Sequence, residues 1–183
     1  MVDLSSFAGP FLPEILLLTG TLLVFLLDVV GVRRIEVTGS VAVAVTSLAL
    51  LFVVADLGFA PVAFLATVPS GQVDQFVPGA TPLYSFTSLG FVFQTIFLIA
   101  ALLVSLASMS RPSNERGAPI FYGLLLLATL GMLLVAISSD LIFLLLSIEL
   151  TSLSTYLLVG YTRRDARSLE AAMKFYIIGA LST

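Results

Sequence analysis

Two ionisable residues stand inside apolar runs in the last quarter of this sequence, and they are the side chains best suited to chemistry. Glu149 lies within the run 141–161, and Lys174, the only lysine of the chain, lies in a run that starts near Leu169. Between them is a turn carrying Arg163, Arg164 and Arg167. Glu149 follows Leu141 by eight residues, which is about 12 Å along a helix at 1.5 Å per residue. Its side chain is too short to reach an interface from there, and the lean of side chains toward their own helix N-terminus shortens the gap only slightly. A carboxyl group at such a depth must face protein or internal water. Ser152, Tyr156 and Gly160 follow it at i+3, i+7 and i+11, a polar or small stripe that could order water beside the acid. An acid so placed can exchange a proton as the charge of its neighbours changes, which is the physics of a relay. The plainer alternative is a static hydrogen-bonding group that holds helices together.

Lys174 is less demanding. It lies about 8 Å into its run from the opposite side, and its side chain leans back toward that end. A lysine can snorkel over such a distance, and Glu170 precedes it by four residues in the favourable acid-to-base order. An interfacial anchor paired with Glu170 and a functional intramembrane base are both open on position alone. Glu149 and Lys174 differ in expected depth by about 9 Å if each helix spans some 30 Å, so they read as separate stations rather than one ion pair. Thr151, Ser154 and Thr155 read as packing residues. Asp28 reads as an interfacial partner of the arginines that follow it, Asp140 as a helix cap, and Glu14 as a helix-end charge.

The rest of the chain says what must position these groups. Of 183 residues, 59% are hydrophobic and 10% charged, with a mean hydropathy of +1.15. A soluble domain carries about 25% charged residues, so the composition is that of a polytopic membrane protein. There is no Cys, His or Trp in the sequence. That excludes disulfides, thiolate or imidazole metal sites, haem ligation and Cys- or His-based catalysis within it. A formal charge of −3, with no extended basic face, argues against a nucleic-acid partner. The amino end is acidic and lacks the basic start of a secretory signal.

A bilayer core needs roughly 20 apolar residues per helix. The runs that qualify predict an all-α, polytopic transmembrane bundle of about six helices in a single membrane domain over 1–183. They lie near 11–30, 37–55, 83–108, 118–137, 141–161 and 169–183. Pro13 and Glu14 suit a first helical turn. The third run is longer than a span requires and is expected to tilt. The connection 56–82 holds Pro61, Pro69, Pro78 and Pro82 and cannot be one helix; its apolar piece 62–68 reads as a short strand or an interfacial segment. The sixth run reaches only about 15 residues by Thr183, short of a span, so the sequence reads as a fragment of a longer protein.

Every arginine falls in alternate connections: Arg33 and Arg34, then Arg111 and Arg116, then Arg163, Arg164 and Arg167. The intervening connections and the amino end carry only acids. The positive-inside rule therefore expects the arginine loops in the cytoplasm, the amino end and the 56–82 loop outside, and a prokaryotic plasma or inner membrane as the location.

The stretch from Ser147 onward resembles subunit N of the proton-pumping NADH–quinone oxidoreductases, respiratory complex I. Glu149, Leu150, Ser152, Leu153 and Tyr156 match that family's L-E-L-x-S-L-x-x-Y pattern. Glu170, Ala171, Ala172, Lys174, Phe175, Gly179, Ala180 and Ser182 match E-A-A-x-K-Y/F followed by G-A-x-S/T. Leu12, Pro13, Glu14, Ile15 and Asp28 look like the family's first helix. The resemblance implies an antiporter-like translocase subunit with about fourteen helices in the whole protein, built around two inverted five-helix repeats. It implies that Glu149 and Lys174 lie on the proton path, that a lysine partner of Glu149 lies beyond Thr183, and that the lipid bilayer and other membrane subunits are the partners. Cofactors are expected to be absent from this chain, with the quinone and NADH or another electron donor used by the wider complex, and no metal site is expected. The cation/proton subunits of multi-subunit sodium–proton exchangers share the helix-five glutamate, so an antiporter subunit is the alternative, and a purely structural membrane subunit is another. No nucleophile constellation supports a membrane hydrolase.

Overall fold

A computed structural model describes residues 11–31, 34–56, 84–109, 117–161 and 166–182. Among them are six helices: α1 (Leu12–Val30), α2 (Ile35–Asp56), α3 (Ser88–Met109), α4 (Ala118–Ile137), α5 (Leu141–Val159) and α6 (Ala166–Ser182). The first five are long and apolar enough to cross a membrane. Nineteen residues of α1 or α5 rise about 28 Å, close to the hydrocarbon thickness. The apolar 62–68 piece and five of the arginines lie outside the described residues.

Local chemistry sets the helix ends. Pro13 stands in the first turn of α1, where a missing N–H costs nothing, and Gly31 closes the helix in the left-handed region at φ 88°. The Asp140 carboxylate accepts from the backbone N–H groups of Ile142 (2.9 Å) and Phe143 (3.4 Å), so it caps α5 as its position suggested. The third helix differs from expectation. It begins at Ser88 rather than 83 and has 22 residues, so no surplus length calls for tilt. Tyr84 is held in an antiparallel bridge with Ser138, and the Ser85 N–H donates to the Ile137 carbonyl at 2.8 Å. The Thr87 hydroxyl then accepts from the Gly90 N–H at 3.1 Å, which starts the helix there.

The centre of the bundle is α4, which packs against α1, α2, α3 and α5. Thirteen of its twenty residues are buried, on nearly every face, as expected of a helix apolar all round. The core joins Leu17 and Val24 of α1, Ala42 and Val53 of α2, Leu98 of α3 and Leu126 and Leu133 of α4. In contrast α6 touches only α5 to any extent and buries no residue. Successive helices alternate in direction, so the bundle has two ends. Phe11, Tyr84 and Phe86 form edge-to-face ring contacts at the end where α1, α3 and α5 begin. Gly39, Met109 and Tyr122 meet at the other end, which Arg34 and Arg167 share.

Candidate functional site

The position of Glu149 is decided by how α5 sits on α4. Ser147 and Ser154 are the buried residues of α5, and with Thr151 they form an i, i+4, i+7 stripe against α4. Gly131 of α4 makes room for that stripe: a Cβ there would stand 2.8 Å from the Thr151 backbone nitrogen and would strike its hydroxyl. The three hydroxyls donate within α5, Ser147 to the Phe143 carbonyl (2.7 Å), Thr151 to Ser147 (3.0 Å) and Ser154 to Leu150 (2.6 Å). They are packing groups with their polarity satisfied locally, as read for Thr151 and Ser154. Two residues before Thr151, Glu149 is rotated by about 200° and lies on the face of α5 turned away from α4. It is half-buried, and no side-chain hydrogen bond reaches it among the described residues.

That face belongs to the α5–α6 seam. The Tyr156 ring meets Phe175 (centroids 5.0 Å) and Tyr176 (5.6 Å) edge to face, and a Cβ on Gly179 would collide with its hydroxyl. A Cβ on Gly160 would stand 2.9 Å from that of Ala172. The stripe read from sequence as a place for water is therefore, at Tyr156 and Gly160, a packing seam. The reason is that its smallest and largest members interlock with α6. Glu149 and Ser152 precede Tyr156 by seven and four residues and so share its face of α5.

Lys174 and Glu149 are not brought together. Lys174 Nζ donates to Glu170 Oε1 at 2.5 Å, and the two side chains remain 69% and 64% exposed. The i, i+4 anchor pair is thus formed. The Ser168 hydroxyl donates to the Val159 carbonyl at 2.8 Å, which sets α5 and α6 level at that point. Lys174 lies six residues beyond this level and Glu149 ten, so they differ in depth by about 6 Å. The expected 9 Å shrinks because α6 begins at Ala166 rather than near 169.

A buried acid was misjudged from sequence. Glu14 is in the first turn of α1, where its charge suits the helix dipole, yet it is only 5% exposed. Its Oε1 accepts from Nε2 of Gln94 on α3 at 2.7 Å, and Gln94 is 1% exposed. Because α3 begins beside α1, what looked like a helix-end charge is an interhelical partner. Gln94 was passed over; the available signal was a lone amide in an apolar run.

Similarity to known proteins agrees with this geometry. Residues 138–183 match the family described as NADH:quinone oxidoreductase/Mrp antiporter, transmembrane. Subunit N of the F(420)H(2) dehydrogenase of Methanosarcina mazei is 35% identical over 171 residues, 93% of this chain and 33% of that protein. Subunit 2 of the NAD(P)H-quinone oxidoreductase of Synechocystis is 31% identical over 178 residues, 96% of this chain and 31% of that protein. A chain in the structure of respiratory complex I from Thermus thermophilus with bound aureothin superposes with a TM-score of 0.66 at 26% identity, over 92% of this chain and 33% of that one. The chain spans about a third of the length of each of these relatives. Fold and likeness together show a multi-pass membrane chain that is similar to antiporter-like subunits of quinone oxidoreductases. Relatives of this kind carry the names subunit N or, in cyanobacteria, subunit 2.

Proposed function

We propose that this chain is part of a proton-translocating subunit, which couples quinone reduction carried out elsewhere in a larger oxidoreductase complex to proton movement across a prokaryotic plasma membrane. The observation that carries the reading is Glu149, an acid about 12 Å into a membrane-length helix, turned from the packed α4 face toward the seam with α6. Intramembrane acids are costly and mark ion pathways. The hydroxyls of Ser147, Thr151, Ser154 and Thr155 donate to carbonyls of their own helix and do not engage the carboxyl group. Lys174 is a second station on the inner side, and the chain itself holds no redox group. Its partners are the lipid bilayer and the other membrane subunits of the complex, and its arginine-bearing end faces the cytoplasm.

The test uses inverted membrane vesicles that carry the whole complex. Acidification of the lumen on adding electron donor and quinone, in the absence of sodium, is the expected result. Sodium-dependent proton exchange without donor or quinone would contradict it and point to an antiporter subunit.

A further inference from the structure

We propose that Glu14 and Gln94 form a proton-binding site, separate from the Glu149 line, at the end of the bundle where α1, α3 and α5 begin. The pair is buried and ties α1 to α3, whereas the buried hydroxyls Thr21, Thr46, Ser105 and Thr129 donate to carbonyls of their own helices. Only one carboxyl oxygen of Glu14 is used. Its Oε2 is buried and has no hydrogen-bond partner among the described residues. A purely structural clasp would leave that oxygen without a purpose, since an unpaired buried polar atom is costly.

Charge does not supply the missing partner. No arginine or lysine precedes Arg33, and none falls between Arg34 and Arg111 or between Arg116 and Arg163. The packed helices α2, α3 and α4 bring Glu36, Asp56 and Tyr122 as their ionisable groups. Glu36 and Tyr122 are at the opposite end, with Asp28 of α1; Asp56, Tyr84 and Asp140 are at this one, and none of them is a cation. A proton is the partner that fits. Gln94 suits either state of the acid, because its amide donates from Nε2 to a carboxylate and, turned about, accepts at Oε1 from a carboxylic acid. The proton comes from water and returns to it: an O–H bond forms on Glu14 as one breaks in hydronium, and no electron moves. Beside the acid, a groove of about 290 Å³ lies between α1 and α4, lined by Phe11, Glu14, Ile15, Leu18, Leu130 and Leu134. That groove is apolar and offers water no polar partners, so the proton reaches Glu14 from the helix end, about 3 Å away.

Infrared difference spectra between acid and alkaline buffer, taken on the whole complex, test the site. One carbonyl band of a carboxylic acid, shifted in heavy water, should be lost in Glu14→Gln and kept in Glu149→Gln. Gln94→Leu should move that band without removing it, and Glu14→Asp should restore a band at a new position if Glu14→Gln assembles poorly. Spectra of assembled Glu14→Gln and wild type that coincide would overturn the proposal and leave Glu14 a static hydrogen-bonding group. A lost band in Glu14→Gln with proton pumping absent in the wild type would still support this site, so the two readings fail separately.

Discussion

Gly131 on α4 and Thr151 on α5 are packed so closely that no side chain fits between them; a Cβ on the glycine would lie 2.8 Å from the Thr151 backbone nitrogen and 3.1 Å from its Cα. Backbone on both sides of the contact fixes the rotation of α5 about its axis. That rotation is what points Glu149 away from α4. Small residues at helix interfaces are the usual means of close approach in a membrane.

Gly131→Ala should therefore destabilise the α4–α5 pair by about 1–3 kcal/mol, the range for overpacking. Thr151→Ala alone should cost less and should not rescue Gly131→Ala, because the nearest fixed obstacles are backbone atoms. Thermal unfolding of the detergent-solubilised complex, read for the single and double variants, measures this.

Asp140 holds the first turn of α5 through two backbone N–H groups. Asp140→Ala should cost about 1 kcal/mol, and Asp140→Asn should cost less, since an amide oxygen also caps. The same unfolding measurement decides it.

The Lys174–Glu170 pair is exposed on both sides. An exposed i, i+4 pair contributes about 0.3–0.5 kcal/mol, so Glu170→Gln should leave stability and coupling almost unchanged. Lys174→Met should lower proton pumping per electron while Glu170→Gln does not. Equal, negligible effects of both would reduce Lys174 to an anchor.

The architecture was legible in the sequence because spans are set by length and hydropathy. Asp140 was legible too, since capping is local. Residues 84–87 were not. They are apolar enough to extend a span, and only the pairing of Ser85 with Ile137, more than fifty residues away, holds them extended. Glu14 failed for the same reason. Its sequence neighbours describe a helix start, and only the long-range reach of the Gln94 side chain from α3 shows it as an interhelical partner. Tyr156 misled in the opposite sense, its hydroxyl suggesting water where its ring was packing on Phe175 and Tyr176. The place of Glu149 along α5 was readable from position alone, but the face it occupies needed Gly131 and Thr151.

The central claim is that Glu149 carries protons, and the most direct measurement is the proton-to-electron ratio of the complex bearing Glu149→Gln. The substitution keeps size and hydrogen-bonding capacity and removes the exchangeable acid. With assembly and donor binding intact, proton movement per electron should fall well below that of the wild type. An unchanged ratio in a fully assembled complex would contradict the account.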